Sequence, residues 1–390
     1  MKQWIQGLLP VALLAILLVL FFNYGPLGIF NTAFPPVEEL TIERVVLSEP
    51  NRITLHVMNG GPNSVSIAQI MVDDAFWQHW TEPQTQTIPR LGHMKVHIPY
   101  PWVEGETHEV TLLTSTGLTF SREIPVATQS PRVDFLYLWT FALLGIYAGV
   151  IPVFLGLLWY PFLRELNASW ISFFLSLTVG LLVFLAVDTL DEALNSAEVV
   201  PGVLQGVSLV AIGIISSFLI LLYLSHLKRG HSDKEEGRFW KRYRTARMIA
   251  LGIGFHNLGE GLAIGSSYAV GEIALGTSLV IGFTLHNITE GLGIVAPIAK
   301  DRPSIIQLIG LGAIAGGPTI LGTWIGGFSY SPVWAALFLA IGVGAILQVI
   351  YELTLLVVKR QEVAFYSSYN LLGFLLGLGV MYGTGLLVVV

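Results

Sequence analysis

Two short stretches of this chain read almost alike. Gly254-Phe255-His256-Asn257-Leu258-Gly259-Glu260-Gly261 and Leu285-His286-Asn287-Ile288-Thr289-Glu290-Gly291 each set a histidine and a glutamate four residues apart inside an apolar run. On a helix that spacing places imidazole and carboxylate on one face, about 5 to 6 Å apart at Cβ. Each stretch is then a two-ligand clip. The link from Ser266 to Glu272 is short, which predicts two antiparallel neighbouring helices. Facing clips would present the imidazoles of His256 and His286 and the carboxylates of Glu260 and Glu290 to one ion. That donor set suits Zn²⁺, Fe²⁺ or Mn²⁺, and no thiolate is on offer because the chain has no cysteine. The bland alternative is a set of structural hydrogen bonds. Ionisable groups at bilayer depth cost at least about 2.5 kcal/mol each, however, so four in duplicate register favour a metal site. The flanking glycines, Gly254, Gly259, Gly261 and Gly265, then Gly282, Gly291 and Gly293, let helix backbones approach closely.

The elements that must hold these clips are membrane helices. The 390 residues are 53% hydrophobic and only 12% charged, with a mean hydropathy of +0.69, far more apolar than soluble chains. A net charge of -6 leaves no basic face for phosphates and argues against nucleic acid as a partner. Without cysteine there is no disulfide framework, even for a part exposed outside the cell.

Taken in order, the chain opens with Lys2 and an apolar run from Leu8 to Phe22, extending to about residue 30. It predicts a signal anchor or uncleaved signal over 1–30, which exports the segment after it. From 35 to 131 the pattern changes to short alternating segments such as Ile53-Thr54-Leu55-His56-Val57, with turn signals at Asn59-Gly60-Gly61-Pro62 and Thr116-Gly117. That predicts a small extracytoplasmic β-sandwich domain. His56 and His97 alternate with apolar neighbours and are expected on the outward face of their strands. Trp77 and Trp80, which flank His79, are expected to cap the sandwich or touch the membrane interface.

Residues 133–390 then predict an eight-helix core, with spans near 135–158, 169–192, 203–226, 245–266, 272–298, 304–326, 333–357 and 366–389. Every lysine and arginine after Arg132 falls in alternate connectors: Arg164, then Lys228 to Arg247, then Lys300 and Arg302, then Lys359 and Arg360. By the positive-inside rule those connectors are cytoplasmic, and the β domain and the C-terminus are extracytoplasmic. The connector from His226 to Arg247 mixes His226, His231, Asp233, Glu235 and Glu236 with basic residues and reads as a solvated loop, with a weak metal-holding role as the alternative.

Few other carboxylates lie at membrane depth. Asp188, Asp191 and Glu192 sit at the outer end of the second span, where acids would attract divalent cations, or simply mark a wet helix end. Glu352, about two turns before Lys359, marks a candidate inner exit or reaches the solvated interface.

On these residues the chain resembles the ZIP (Zrt/Irt-like) family of divalent metal transporters over about 133–390. The resemblance rests on the order of spans, the histidine-bearing connector after the third, the His256-Asn257-x-x-Glu260-Gly261 motif on the fourth and His286-x-x-x-Glu290 on the fifth. It implies that His256, Glu260, His286 and Glu290 form one metal position. It also implies that Asn257 and Asn287 offer oxygens to an adjacent second position sharing the glutamates, and that Asp188 and Glu192 belong to the entrance and Glu352 to the exit. The sixth span departs from the pattern, because Thr319, in Gly317-Pro318-Thr319, stands where many members carry a glutamate. A homodimer, inward transport and elevator-like motion are implied by the resemblance alone.

The expectation is therefore a polytopic α-helical protein of the plasma membrane that is not an enzyme. Its substrate is Zn²⁺, or Fe²⁺, Mn²⁺ or Cd²⁺, and its partners are the ion and the lipid bilayer. Neutral histidine and ionised glutamate are the binding forms, so acid should compete with metal. The rival expectations are an intramembrane metalloenzyme, disfavoured because no His-Glu-x-x-His motif is present, and a membrane metal sensor.

Overall fold

The computed structural model describes residues 12–17, 19–20, 37–130, 134–227, 237–269, 273–329, 331–359, 364 and 366–388. The chain divides into two compact units, Met1–Glu38 and Glu39–Val390. In the first, residues 12–17 and 19–20 are helical and exposed; the rest of the expected 1–30 anchor lies outside the described residues. So do His231, Asp233, Glu235 and Glu236 of the long basic connector.

The second unit begins with nine strands: β1 (Leu40–Glu49), β2 (Arg52–Asn59), β3 (Val65–Val72), β4 (Ala75–Trp77), β5 (Trp80–Glu82), β6 (Thr87–Ile88), β7 (His93–Ile98), β8 (His108–Thr114) and β9 (Thr119–Ile124). One sheet runs β1-β2-β7-β5 and the other β4-β3-β8-β9, with β6 on β3. Alternation drives the assembly. Ile53, Leu55, Val57, Val96 and Ile98 of the first sheet and Ile67, Ile70, Val72, Val110 and Leu112 of the second are fully buried in one shared core.

The opposite face of the first sheet is less open than alternation predicts. The His97 side chain is only 14% exposed, because β5 adds a strand whose Trp80 stacks on its ring at 5.3 Å. Its Nδ1 lies 3.0 Å from Thr54 Oγ1. Trp80 is itself exposed, whereas Trp77 packs against the core and Tyr100. Burial, and then the charges of Arg44 and Lys95 and the rings of His97 and His93, push the His56 imidazole down to about 4 from its ordinary 6.5.

The folded form thus holds His56 neutral while the unfolded chain protonates it near 6.5. Its contribution to stability is complete above pH 6.5, is lost as pH falls towards 4, and levels off below. Hydrogen exchange of β2 and β7, corrected for intrinsic rates, should show protection falling across that window. The fall should be shallower in His56→Gln; equal slopes would refute the assignment.

The sandwich rests on helix ends. Arg44 Nη1 donates to Phe328 O at 2.7 Å, and Glu39 Oε1 accepts from Gly202 N at 2.5 Å.

The helices are α1 (Phe135–Gly145), continued through a π-turn (Ile146–Val150) into α2 (Ile151–Leu157), then α3 (Tyr160–Glu165), α4 (Ala168–Glu198), α5 (Gly206–Leu227), α6 (Arg238–Ala269), α7 (Ile273–Val295), α8 (Ile305–Gly316), α9 (Pro318–Ser329), α10 (Pro332–Lys359) and α11 (Ser368–Val388). Starts are specified locally: Asp134 and Asn167 cap α1 and α4, and Ser304 with Gln307 forms a capping box on α8.

Among the described residues, six helical segments are long and apolar enough to cross a membrane: Phe135–Glu165, Ala168–Glu198, Gly202–Ser225, Leu275–Ile298, Ile305–Phe328 and Pro332–Val358. This is the composition of a multi-pass membrane protein. Of the eight expected spans, those on α6 and α11 fall outside this set. The reason for α6 is chemical: it begins with Arg238, Lys241, Arg242, Arg244 and Arg247 and carries His256, Asn257 and Glu260. Such a helix is poorly suited to lipid and is surrounded by protein instead, packing against α7, α8, α9 and α10.

A second group centres on α4, which packs against α5, α10 and α11, with α10 also against α5; α10 touches α6, and α4 and α11 touch α7. The described basic residues Arg164, Arg242 and Lys300 lie at one end of the helices. Arg242 pairs with Asp301 at 2.8 Å, and Lys300 Nζ donates to Arg164 O at 2.7 Å and Leu166 O at 2.5 Å.

Candidate metal centre

The two clips face each other as adjoining helices α6 and α7. Close approach of their neighbours is what places them. An added Cβ at Gly261 of α6 would overlap Thr319 O of α9, and one at Gly322 of α9 would overlap Leu258 O of α6. Across α7, Gly291 and Gly156 of α2 meet in the same way. Hydrogen in place of a side chain at these crossings allows backbone contact and draws the polar groups of α6 and α7 inward.

His256 Nε2 lies 2.7 Å and His286 Nε2 2.5 Å from the same oxygen, Glu260 Oε1. All three residues are buried, and their ligand atoms lie within 4.8 Å of one another. The imidazole centroids are 6.3 Å apart. A tetrahedral Zn²⁺ with bonds of about 2.0 to 2.1 Å needs donors roughly 3.3 Å apart. The two histidine–glutamate distances would each have to open by about an ångström or less.

Glu290 completes the set differently from the expected four-donor clip, since it stands outside that trio. It is 4% exposed, and neither carboxylate oxygen has a hydrogen-bond partner among the described residues. Its charged neighbour is Glu260; the Asn257 side chain lies beside it but outside hydrogen-bonding geometry.

The two asparagines are oriented by irregular backbone. Asn287 Nδ2 donates to Ala148 O in the π-turn at 2.9 Å and to Glu260 Oε2 at 2.9 Å. Asn257 Nδ2 donates at 3.1 Å to Ala315 O, in the last turn of α8, where carbonyls lack helical partners and the chain restarts at Pro318. Asn287 uses both its N–H groups and Asn257 donates one, and among the described residues neither buried Oδ1 has a hydrogen-bond partner, nor do His256 Nδ1 and Thr319 Oγ1. An unpaired buried polar group costs about 1 to 3 kcal/mol. Together with the His256, Glu260 and His286 group, these atoms are donors that could hold a cation.

Of the candidate entrance residues, Asp188 joins His286 in lining an open cleft of about 360 Å³ between α4, α7 and α11. Asp188 and Asp191 are exposed and Glu192 is half-buried; Asn195 donates to Asp191 at 3.3 Å. Glu352 is not at a solvated interface: it is 5% exposed and accepts from Ser225 Oγ of α5 at 2.9 Å. Sequence reasoning missed Gln348, fully buried one turn before Glu352 on α10. The four-residue spacing between the two was the available signal. It also missed the Ala148 and Ala315 carbonyls, which no side-chain motif announces.

No family model matches this sequence, and no curated protein matches it.

Proposed function

We propose that this chain is a transporter of a divalent transition metal, with Zn²⁺ as the leading substrate and Fe²⁺, Mn²⁺ or Cd²⁺ as alternatives. The observation that carries the reading is the meeting of His256, Glu260 and His286 on one buried point, with the unpaired carboxylate of Glu290 beside it. Three nitrogen and oxygen donors plus a second carboxylate bind such an ion, and burial between helices is where alternating access needs its site.

Asp188 at the cavity leading to His286 supports an approach from the sandwich side. A carboxylate exposed there avoids the cost of facing lipid only if the cavity holds water. Asn257 and Asn287 supply oxygens to the same ion or to an adjacent one. Thr319, in place of an acid, leaves that second position with less charge. In the same proposal α6 and α11 complete eight spans, and the run of basic connectors supports a plasma-membrane protein with the sandwich and the C-terminus outside and those connectors in the cytoplasm. Membership of the ZIP family, a homodimer and inward transport belong to the same proposal and rest on the motif resemblance.

Proteoliposomes carrying the purified protein should accumulate Zn²⁺ with a saturable rate that falls as the outside is acidified, since protons and metal compete for the same imidazoles and carboxylates. Binding without accumulation would make the protein a sensor. The metalloenzyme reading draws on one feature, the unpaired Glu290 carboxylate, which is free to act as a base. Metal-dependent lipid or peptide hydrolysis lost in His256→Ala would favour it.

A further inference from the structure

We propose that Gln348 is a transient ligand on the route by which the cation leaves the His/Glu site towards the basic end of the bundle; this rests on the transport reading above. Gln348 is completely buried, and neither its amide oxygen nor its nitrogen has a hydrogen-bond partner among the described residues. An amide left so inside a membrane bundle costs more than the apolar side chain that would fill the same space.

Its place on α10 gives it a use. A Cβ added at Gly344 would run into Ser217 and Ile214 of α5, and one at Gly252 of α6 would meet Val349 of α10. α10 therefore lies against both helices. Turning 100° per residue from Gly344 and Val349 directs position 348 into the wedge between them. Glu352, four residues on, follows along the same stripe and is held by Ser225 of α5.

At the other end, a Cβ at Gly342 would stand 3.5 Å from His256 Cα, so Gly342 is level with the metal ligands. At 1.5 Å per residue, Gln348 lies roughly 9 Å and Glu352 roughly 15 Å further along the axis. A cation passing from His256 to Glu352 would cross that distance in a wedge where the Ser217 hydroxyl of α5 is already donated to Ile214 O. A neutral amide oxygen is a weak ligand for such an ion. It receives the ion and lets it go, which conduction through successive sites requires.

The wedge also accounts for which side of the site is used. The Asp188 cavity reaches the site along α7, through His286, whereas Gln348 and Glu352 leave it along α6. Entry and exit thus engage opposite members of the helix pair.

The test compares wild type with Gln348→Met, which keeps the volume and removes the oxygen, and with Gln348→Leu as a second apolar replacement. Zn²⁺ uptake into proteoliposomes, equilibrium Zn²⁺ binding in detergent and thermal midpoint are measured on each full-length protein. We expect turnover to fall about ten-fold, the scale of losing one supporting metal contact. The half-saturating Zn²⁺ concentration and equilibrium binding should stay at wild-type values, and the thermal midpoint should stay or rise. Wild-type turnover in both variants overturns the proposal, and so does a fall in thermal midpoint together with loss of equilibrium binding, which would mean that Gln348 is structural. Wild-type protein that accumulates no metal overturns the transport reading and this inference with it.

Discussion

Glu260→Gln and Glu290→Gln should have opposite effects on the metal-free protein and the same effect on metal binding. Glu260 holds three groups at once: His256 and His286 through Oε1 and Asn287 through Oε2. Replacing it with an amide removes the charge that anchors both imidazoles and places an N–H where acceptors are needed. Loss of a buried charge partner typically costs about 3 to 5 kcal/mol, and the isosteric amide should keep part of that. Glu290, by contrast, has no hydrogen-bond partner for either oxygen among the described residues. A neutral amide there is cheaper to bury, so Glu290→Gln should leave the thermal midpoint unchanged or raise it.

On the proposed function both variants remove a carboxylate from the ion. Equilibrium Zn²⁺ affinity and uptake should each drop about 100-fold or more for Glu260→Gln and at least about ten-fold for Glu290→Gln, the range typical of changes around metal ligands. Calorimetric binding and vesicle flux on the same preparations read both quantities. Undiminished flux in Glu260→Gln would remove the site from the mechanism. A thermal midpoint that falls in Glu290→Gln would show that Glu290 is structurally paired.

The second large effect is steric. Gly261→Leu should abolish the fold of the helical region, because the new side chain starts inside Thr319 O and against Thr323 N of α9, which are backbone atoms that cannot swing aside. Overpacking a yielding core costs about 1 to 3 kcal/mol; here both partners are helix backbones, and a cost of about 3 kcal/mol or more is expected. Separating α6 from α9 also displaces Glu260, so metal binding should vanish with the thermal transition. Gly310→Leu is the control: among the described residues, and apart from its own stretch of helix backbone, no atom lies within 4 Å of a Cβ at Gly310. Its midpoint should stay within the roughly 0.5 kcal/mol usual for harmless surface changes. Similar midpoints for the two variants would show that the α6–α9 crossing is not set by glycine.

Local and long-range determinants separate cleanly at this site. The pairing of His256 with Glu260 was legible because helical spacing is a local rule, residues four apart sharing a face whatever surrounds them, whereas His286 turns to Glu260 and not to Glu290. The alternating strands of the sandwich and the apolar helical runs were legible for the same reason, since burial periodicity is written residue by residue. The outward placement of His56 and His97 was only partly legible, because it depended on whether another strand or side chain covers that face. For His97 it is Trp80, from another strand, that covers the ring, and for His56 it is burial first and then the charge of Arg44 that sets its surroundings.

By itself, then, the chain's order of residues determined that two histidine and glutamate clips would sit on neighbouring helices of a membrane-embedded bundle beside a β domain, since spacing, hydropathy and the alternation of basic connectors are properties of short windows. Tertiary structure alone decided how those clips meet. It gave Glu260, and not Glu290, the role of joining both imidazoles, turned the asparagine oxygens free by tying their N–H groups to Ala148 and Ala315, and buried Gln348 without a partner among the described residues. The physical reason is that each outcome depends on which backbone carbonyl or side chain arrives from a segment far away in sequence, and that is fixed only when glycine crossings, the π-turn and the break before Pro318 set the helices against one another.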